Sequence, residues 1–331
     1  MNITILGAGS FGTAMASHLA KLGHSVMLWA RDKVKADEIN NEHTNTSCFK
    51  GKTLPCGICA SEDLSCALAF SDLCLAAIPT QAQRCVLSNA AGITTRNIHI
   101  LNLAKGIEIS SGKLLHEIYA EVCPQFVYSA LSGPSHAEEL FEDMPTTVAL
   151  ASFGKDESEM WQRLLNGSNL RIYTASDVIG LEVGGAAKNI YAIAAGISRA
   201  MKLGDNALAA LASRSLAEIM RLGVKMGASP LTLSGLAGVG DLVVTCYSTH
   251  SRNFRLGFAL GEGKTLTQAI DALGQVAEGA YTVRAIVENA QKFNVEMPLA
   301  EAVYGVLYMN KDPKEMLKRL FARPVKPEMR L

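Results

Sequence analysis

The amino-acid sequence predicts an α/β chain with an N-terminal doubly wound, mainly parallel sheet over residues 1–180 and an all-α C-terminal domain over residues 181–331. Three observations predict it. A glycine-rich turn joins an apolar run to a helical run near residue 7, apolar runs then alternate with amphipathic stretches as far as residue 174, and beyond residue 177 the strand signals stop. With 331 residues, 49% of them hydrophobic and 19% charged, the chain can bury a large core and divide into two domains.

The turn is Gly7-Ala8-Gly9-Ser10-Phe11-Gly12, a G-x-G-x-x-G set directly between the apolar run 3–6 and the helical run 13–22. Gly7 permits the strand-to-helix turn, Gly9 lets the backbone approach a pyrophosphate, and Gly12 lets helix and strand pack closely. The N–H groups at the helix N-terminus then face the phosphates. Gly23 ends the helix and a second apolar run follows at 24–29, so a β-α-β unit of the Rossmann type is complete within about 30 residues. That context predicts dinucleotide binding. The second strand ends Trp29-Ala30-Arg31-Asp32; arginine there suits a 2′-phosphate, an acid a free ribose hydroxyl. With Arg31 first, NADPH is the expected cofactor, and Asp32 leaves NADH open.

The remaining elements follow in order. After a polar stretch at 40–52, residues 73–78 read as a buried parallel strand ended by Pro79, 81–91 as a helix and 98–104 as the next strand. Helices at 113–122, 136–142 and 156–165 then alternate with strands at 126–131, 147–151 and 170–174. Such a sheet takes its ligand beyond the carboxyl ends of its strands. Lys105 follows one end, and Gly133-Pro134-Ser135 another.

Residues 178–203 form one long stretch rich in small apolar side chains, and helical periodicity recurs at 206–226, 254–260, 265–273, 281–294, 299–309 and 313–320. Glu182, Lys188, Asn189 and Arg199 interrupt the first of these, which argues against a membrane span. Lys188 is flanked by Gly184-Gly185-Ala186-Ala187, residues too small to shield it. A desolvated lysine loses basicity and can exchange a proton near neutral pH; the ordinary alternative is a lysine snorkelling to the helix surface. Glycines 235, 238 and 240 form a turn-rich loop that can place Asp241 inward. Ser251, Arg252 and Asn253 open a helix with three phosphate-competent side chains, so that backbone N–H groups and a guanidinium converge on one anion. A plain serine N-cap beside a surface arginine is the competing reading.

Composition narrows the classes further. The formal net charge is zero, so no global field draws nucleic acid. Eight cysteines are too few for a disulfide scaffold in a chain of this size, and Cys56-Gly57-Ile58-Cys59 has no second half to complete a zinc set; no metal is expected. No cationic leader precedes the strand at residue 3, and a cytoplasmic location is the expectation.

The phrases GAGSFGTA, LWARD, AKGIE, LSGPSHAEEL, EVGGAAKNIYAIAAGI, GLAGVGDLVVTCYSTHSRNFRLG and VAEG resemble, in order from residue 3 to about residue 310, the bacterial NAD(P)-dependent sn-glycerol-3-phosphate dehydrogenase family. The resemblance implies reversible reduction of dihydroxyacetone phosphate to sn-glycerol 3-phosphate, feeding phospholipid synthesis, by a chain whose homodimeric state is left open. It implies that Lys188 is the proton donor and acceptor. Lys105, Gly133, Ser135, Asp241, Ser251, Arg252 and Asn253 fall on the family's substrate positions. Ser10, Phe11, Arg31, Lys105, Gly133, Ala137, Arg252, Val276 and Glu278 fall on its cofactor positions. Phe11 stands where many members carry tryptophan or tyrosine, which leaves it a stacking role. Other readings stay open: a two-domain 3-hydroxy-acid dehydrogenase, which would aim a cation at a carboxylate, and a non-catalytic dinucleotide sensor or scaffold, which would have no use for Lys188.

Overall fold

The computed structural model describes residues 1–274, 277–325 and 327–328. Two compact units divide the chain, Met1–Ala104 with Leu115–Val178 and Lys105–Leu114 with Ile179–Leu331. The first alternates strand and helix: β1 (Asn2–Leu6), α1 (Ser10–Lys21), β2 (Ser25–Trp29), α2 (Lys33–Glu42), β3 (Ile58–Ser61), α3 (Leu64–Phe70), β4 (Leu73–Ala76), α4 (Thr80–Ile93), β5 (His99–Asn102), α5 (Leu115–Val122), β6 (Val127–Ser132), α6 (Ala137–Phe141), β7 (Thr146–Ser152), α7 (Lys155–Leu165) and β8 (Leu170–Ala175). The sheet order is β3-β2-β1-β4-β5-β6-β7-β8, with every neighbouring pair parallel except β6 with β7. Buried Ile3, Ile5, Leu28, Leu75 and Leu101 give the central strands the near-continuous apolar character of a sheet covered on both faces.

Strand order reverses between β1 and β4, the place where a doubly wound sheet receives its ligand. The glycine turn follows β1 there. Gly7 has φ +116°, and a Cβ on it would stand 2.6 Å from the Ala77 carbonyl oxygen after β4. A Cβ on Gly12 would stand 2.0 Å from the Gly7 oxygen, so neither position tolerates a side chain without moving backbone.

Three elements of this unit lack a signal in the sequence reading: α2, β3 and α3. Helix α2 buries only Ala36 and Ile39, too few to set a period, and starts from the Asp32 side chain, which accepts from the Val34 N–H at 2.9 Å. Strand β3 has four residues and begins inside the C-x-x-C stretch. Cys59 lies in the strand and Cys56 is exposed in the preceding turn; all eight cysteines are free. Among the described residues no group of histidine, cysteine and acidic side chains could hold a metal ion.

The second unit is helical: α8 (Val178–Ala200), α9 (Asp205–Lys225), α10 (Pro230–Ser234), a π-helical turn at Leu236–Gly240, α11 (Asp241–Tyr247), α12 (Arg252–Gly261), α13 (Leu266–Leu273), α14 (Glu278–Lys292), α15 (Pro298–Tyr308) and α16 (Pro313–Phe321). The segment Lys105–Leu114 belongs to it, with Ile107 and Leu114 in its core and the Gly112 carbonyl accepting from the Asn289 amide at 3.0 Å. Helix α8 is the buried axis. Its glycines are there for close approach: a Cβ on Gly196 would stand 2.0 Å from the Phe254 oxygen, and one on Gly257 of α12 1.9 Å from the Ile193 oxygen. Glu218 of α9 fastens three helices, accepting from the Leu299 and Ala300 N–H groups of α15 at 2.8 and 3.2 Å and from the Tyr191 hydroxyl of α8 at 3.0 Å. Burial pushes its carboxyl up to about 7, with those hydrogen bonds acting in the other direction. Among the described residues no helix is long and apolar enough to cross a membrane.

Candidate active site

The α/β unit carries the turn residues and the positions at later strand ends. The first turn of α1 has no side-chain cap, so its N–H groups are not committed to a capping side chain. Apart from its chain neighbours, no atom of the described residues lies within 4 Å of where a Cβ on Gly9 would stand. The fold therefore does not demand glycine at position 9, whereas close approach of a pyrophosphate does. Ser10 and Phe11 open α1, half-buried. After β2, Arg31 is exposed while the Asp32 carboxylate serves as the α2 cap. Lys35 Nζ reaches the Ala8 carbonyl of the turn at 3.4 Å, adding a second cation beside it. Gly133 follows β6 with φ +138°, Ser135 donates its hydroxyl to the Gly133 oxygen at 3.0 Å, and Ala137 is the buried first residue of α6.

The helical unit gathers the ionisable residues. Asp241, wholly buried, starts α11 directly after the π-helical turn. The loop expected from glycines 235, 238 and 240 is thus helical, and Gly238 is needed for packing: a Cβ on it would stand 1.8 Å from the Leu233 oxygen. Asp241 Oδ2 accepts from Lys105 Nζ at 2.8 Å, and Asp241 Oδ1 accepts from Lys188 Nζ. Lys188 is 7% exposed, so the surface-snorkelling alternative does not describe it. Burial drives its ammonium down to about 8; the Lys105 charge acts in the same direction, and the Asp241 carboxylate opposes both. For Asp241 burial alone would raise the carboxyl, but the ammonium groups of Lys105 and Lys188 hold it below its usual range. The neighbouring Cys246 thiol is pushed up to about 12 by burial and stays neutral. One carboxylate between two cations leaves a net positive centre, able to stabilise an oxyanion and to give it a proton.

A chain of amides supports this centre. Asn189, next to Lys188 on α8, donates to the Lys105 carbonyl at 3.2 Å and accepts from the Asn253 amide at 2.9 Å; Asn253 in turn accepts from the Gly279 N–H at 2.9 Å. Both ends of the Asn253 side chain are therefore engaged inside the protein. Ser251 is the N-cap of α12, its hydroxyl accepting from the Phe254 N–H at 3.2 Å, and Arg252 is exposed on the first turn. Glu278 is the first residue of α14. Val276 lies outside the described residues. Asn189 was not singled out from sequence, although a buried-type amide beside the lysine in an alanine-rich helix was a usable signal.

A dinucleotide turn on a doubly wound sheet, together with a desolvated lysine paired to a buried aspartate, defines a nicotinamide-dependent dehydrogenase. Residues 2–159 match the family described as NAD-dependent glycerol-3-phosphate dehydrogenase N-terminus, and residues 177–318 match its C-terminus counterpart. The chain belongs to the NAD-dependent glycerol-3-phosphate dehydrogenase family. A Staphylococcus aureus glycerol-3-phosphate dehydrogenase (NAD(P)+) is 45% identical over 329 residues, covering 98% of this chain and 99% of that one. The crystal structure of glycerol-3-phosphate dehydrogenase from Coxiella burnetii superposes with a TM-score of 0.94 at 39% identity, over 97% of this chain and 99% of that one. A probable 2-dehydropantoate 2-reductase from Bacillus subtilis, at 15% identity over 94% of this chain and all of that one, shares the fold alone, with a TM-score of 0.55.

Proposed function

We infer that this chain catalyses the reversible NAD(P)H-dependent reduction of dihydroxyacetone phosphate to sn-glycerol 3-phosphate, supplying glycerophospholipid synthesis, with Lys188 as the proton donor. The observation that carries the assignment of Lys188 is its burial beside Asp241 and Lys105. When bound, the nicotinamide supplies the hydride. Lys188 stabilises the negative charge that develops on the ketone oxygen and gives it the proton; in the oxidative direction the neutral amine takes it back. Lys105 adds a second positive charge, and Asp241 orients both ammonium groups. Arg252, with the Ser251 N-cap and the N–H groups of the first turn of α12, holds the substrate phosphate, and binding energy from that remote group positions the ketone. Gly133 and Ser135 complete the substrate set. Residues 1–180 are the dinucleotide-binding domain in this reading, with Gly7, Gly9, Ser10, Phe11, Gly12, Arg31 and Ala137 toward NADPH, and residues 181–331 the substrate-binding domain. Glu278 and Val276 are the remaining cofactor positions in this reading. Arg31, exposed directly after β2, is assigned to the ribose substituent, which favours NADPH, while the neighbouring Asp32 admits NADH; the use of Asp32 Oδ1 as the α2 cap supports the first choice. The enzyme acts in the cytoplasm.

We further propose that it works as a homodimer. The helical unit has an apolar groove of about 880 Å³ lined by Met220, Val303, Val306 and Leu317, with Val224 and Phe321 exposed on it, a surface that a second copy of the chain would cover. Sedimentation equilibrium is expected to give twice the 35.3 kDa chain mass, falling to one chain in Leu317→Glu; a monomer at micromolar concentration contradicts the dimer.

Two substitutions test the assignments. Lys188→Met keeps bulk but removes charge and proton, and is expected to lower kcat at least about 10²-fold with little change in NADPH affinity; retention of a tenth of wild-type kcat would rule it out as the acid. Arg252→Ala is expected to cost about 1.5–3 kcal/mol in kcat/KM for dihydroxyacetone phosphate, the scale of hydrogen bonds to a charged group, and clearly less for unphosphorylated dihydroxyacetone. Equal losses on both ketones would remove Arg252 from the phosphate site.

A further inference from the structure

We propose that Gln83, Asn102 and Tyr119 form a positioning network for Lys105, an inference that rests on the reading of Lys105 as part of the reaction centre. The three side chains come from different elements of the α/β unit: Gln83 from α4, Asn102 from the last position of β5, and Tyr119 from α5. They are 0%, 1% and 1% exposed. Burying three polar groups among apolar strands is unfavourable unless each is hydrogen-bonded, and here each is.

The chain of bonds has one direction. The Ala104 N–H can only donate, and it donates to Asn102 Oδ1 at 3.1 Å. The Asn102 amide nitrogen therefore faces the Ala104 carbonyl, to which it donates at 3.0 Å. Because Asn102 Oδ1 is an acceptor, Gln83 must approach it with its amide nitrogen, at 2.9 Å, and the same nitrogen donates to the Ile78 carbonyl at 3.2 Å. The Gln83 oxygen is then left to accept, and the Tyr119 hydroxyl donates to it at 2.8 Å. No amide in the chain can flip without setting two donors or two acceptors against each other.

What this network holds is the peptide that leads into Lys105. Asn102 grips both polar groups of Ala104, and the Ala104 carbonyl belongs to the peptide bond between Ala104 and Lys105. Fixing that peptide plane removes the rotation at Ala104 that would swing the start of the Lys105 residue. The division between the two compact units falls at this same bond. Downstream, the Lys105 carbonyl is held by Asn189 and its ammonium by Asp241. Lys105 is thus constrained on its N-terminal side by Asn102 and on its C-terminal side by Asn189, and neither asparagine needs to touch the substrate.

The experiment is a double-mutant cycle. Asn102→Leu, Asn102→Asp and Tyr119→Phe are made in the wild type and in Lys105→Met, and kcat and KM for dihydroxyacetone phosphate, NADPH affinity and thermal midpoint are measured with enough enzyme to read the residual rates. In the wild-type background Asn102→Leu is expected to lower kcat/KM at least about tenfold. Asn102→Asp, which keeps the acceptor but loses the donor to the Ala104 carbonyl, should reproduce most of that loss, and Tyr119→Phe a smaller part, with NADPH affinity within about twofold throughout. In Lys105→Met none of the three should cost more than about twofold further, because the residue they position has lost its function. Losses of equal size in both backgrounds would overturn the proposal and reduce the network to a stability element. If Asn102→Leu fails to fold, Asn102→Asp and Tyr119→Phe carry the cycle. Full activity in Lys105→Met alone would instead refute the reading of Lys105, a result separate from the coupling.

Discussion

The helical unit is organised around one carboxylate shared by two ammonium groups. Asp241 has no exposed surface, and its two oxygens are divided between Lys105 and Lys188. Removing one partner of such a buried pair costs about 3–5 kcal/mol, because it strands a charge where water cannot reach it. The surrounding sequence is arranged to make the burial feasible. Small residues on α8 and α12 let backbones come together, the π-helical turn brings Asp241 to the start of α11, and Asn189 with Asn253 engages the Lys105 carbonyl and the Gly279 N–H. The same desolvation lowers the proton affinity of Lys188, so the packing that stabilises the unit also sets its chemistry.

The α/β unit is built around a backbone turn rather than a buried charge cluster. In the proposed site its turn binds through backbone; the fold itself requires glycine at Gly7 and Gly12, where a Cβ would meet backbone, and not at Gly9. In the proposed cofactor site, side-chain specificity enters at Arg31. Asp32 caps α2 through Oδ1, so its carboxylate has a role in the fold that Arg31 does not share.

Long apolar runs and special glycines were legible in the sequence. The β1 and β4 runs, the Gly7–Gly12 turn and α8 with Lys188 follow from patterns that a single residue type or period imposes. Helix α2 was not, because its burial of Ala36 and Ile39 alone leaves no stripe, and β3 was obscured by a cysteine spacing that suggests other chemistry. The stretch from Gly235 to Gly240 reads as a loop because three glycines normally mark turns; here Leu236–Gly240 is a π-helical turn, and Gly238 is required by its close approach to the Leu233 oxygen. Asn189, Gln83 and Asn102 are ordinary polar residues in sequence. Their roles come from partners 84, 19 and 2 residues away; the alanine-rich surroundings of Asn189 are a local hint, and nothing local announces Gln83.

The central claim is that a desolvated Lys188 ammonium delivers the proton, and the pH dependence of both reaction directions tests it most directly. Reduction needs the charged form, which burial confines to pH below about 8, while oxidation needs the neutral amine. At saturating cofactor and substrate, from about pH 6 to about pH 10, kcat for reduction of dihydroxyacetone phosphate should be level and then fall about tenfold per pH unit above about 8. The rate of glycerol 3-phosphate oxidation should rise through the same midpoint. A reduction rate that stays level to about pH 10, or profiles of the opposite sign, would contradict the account.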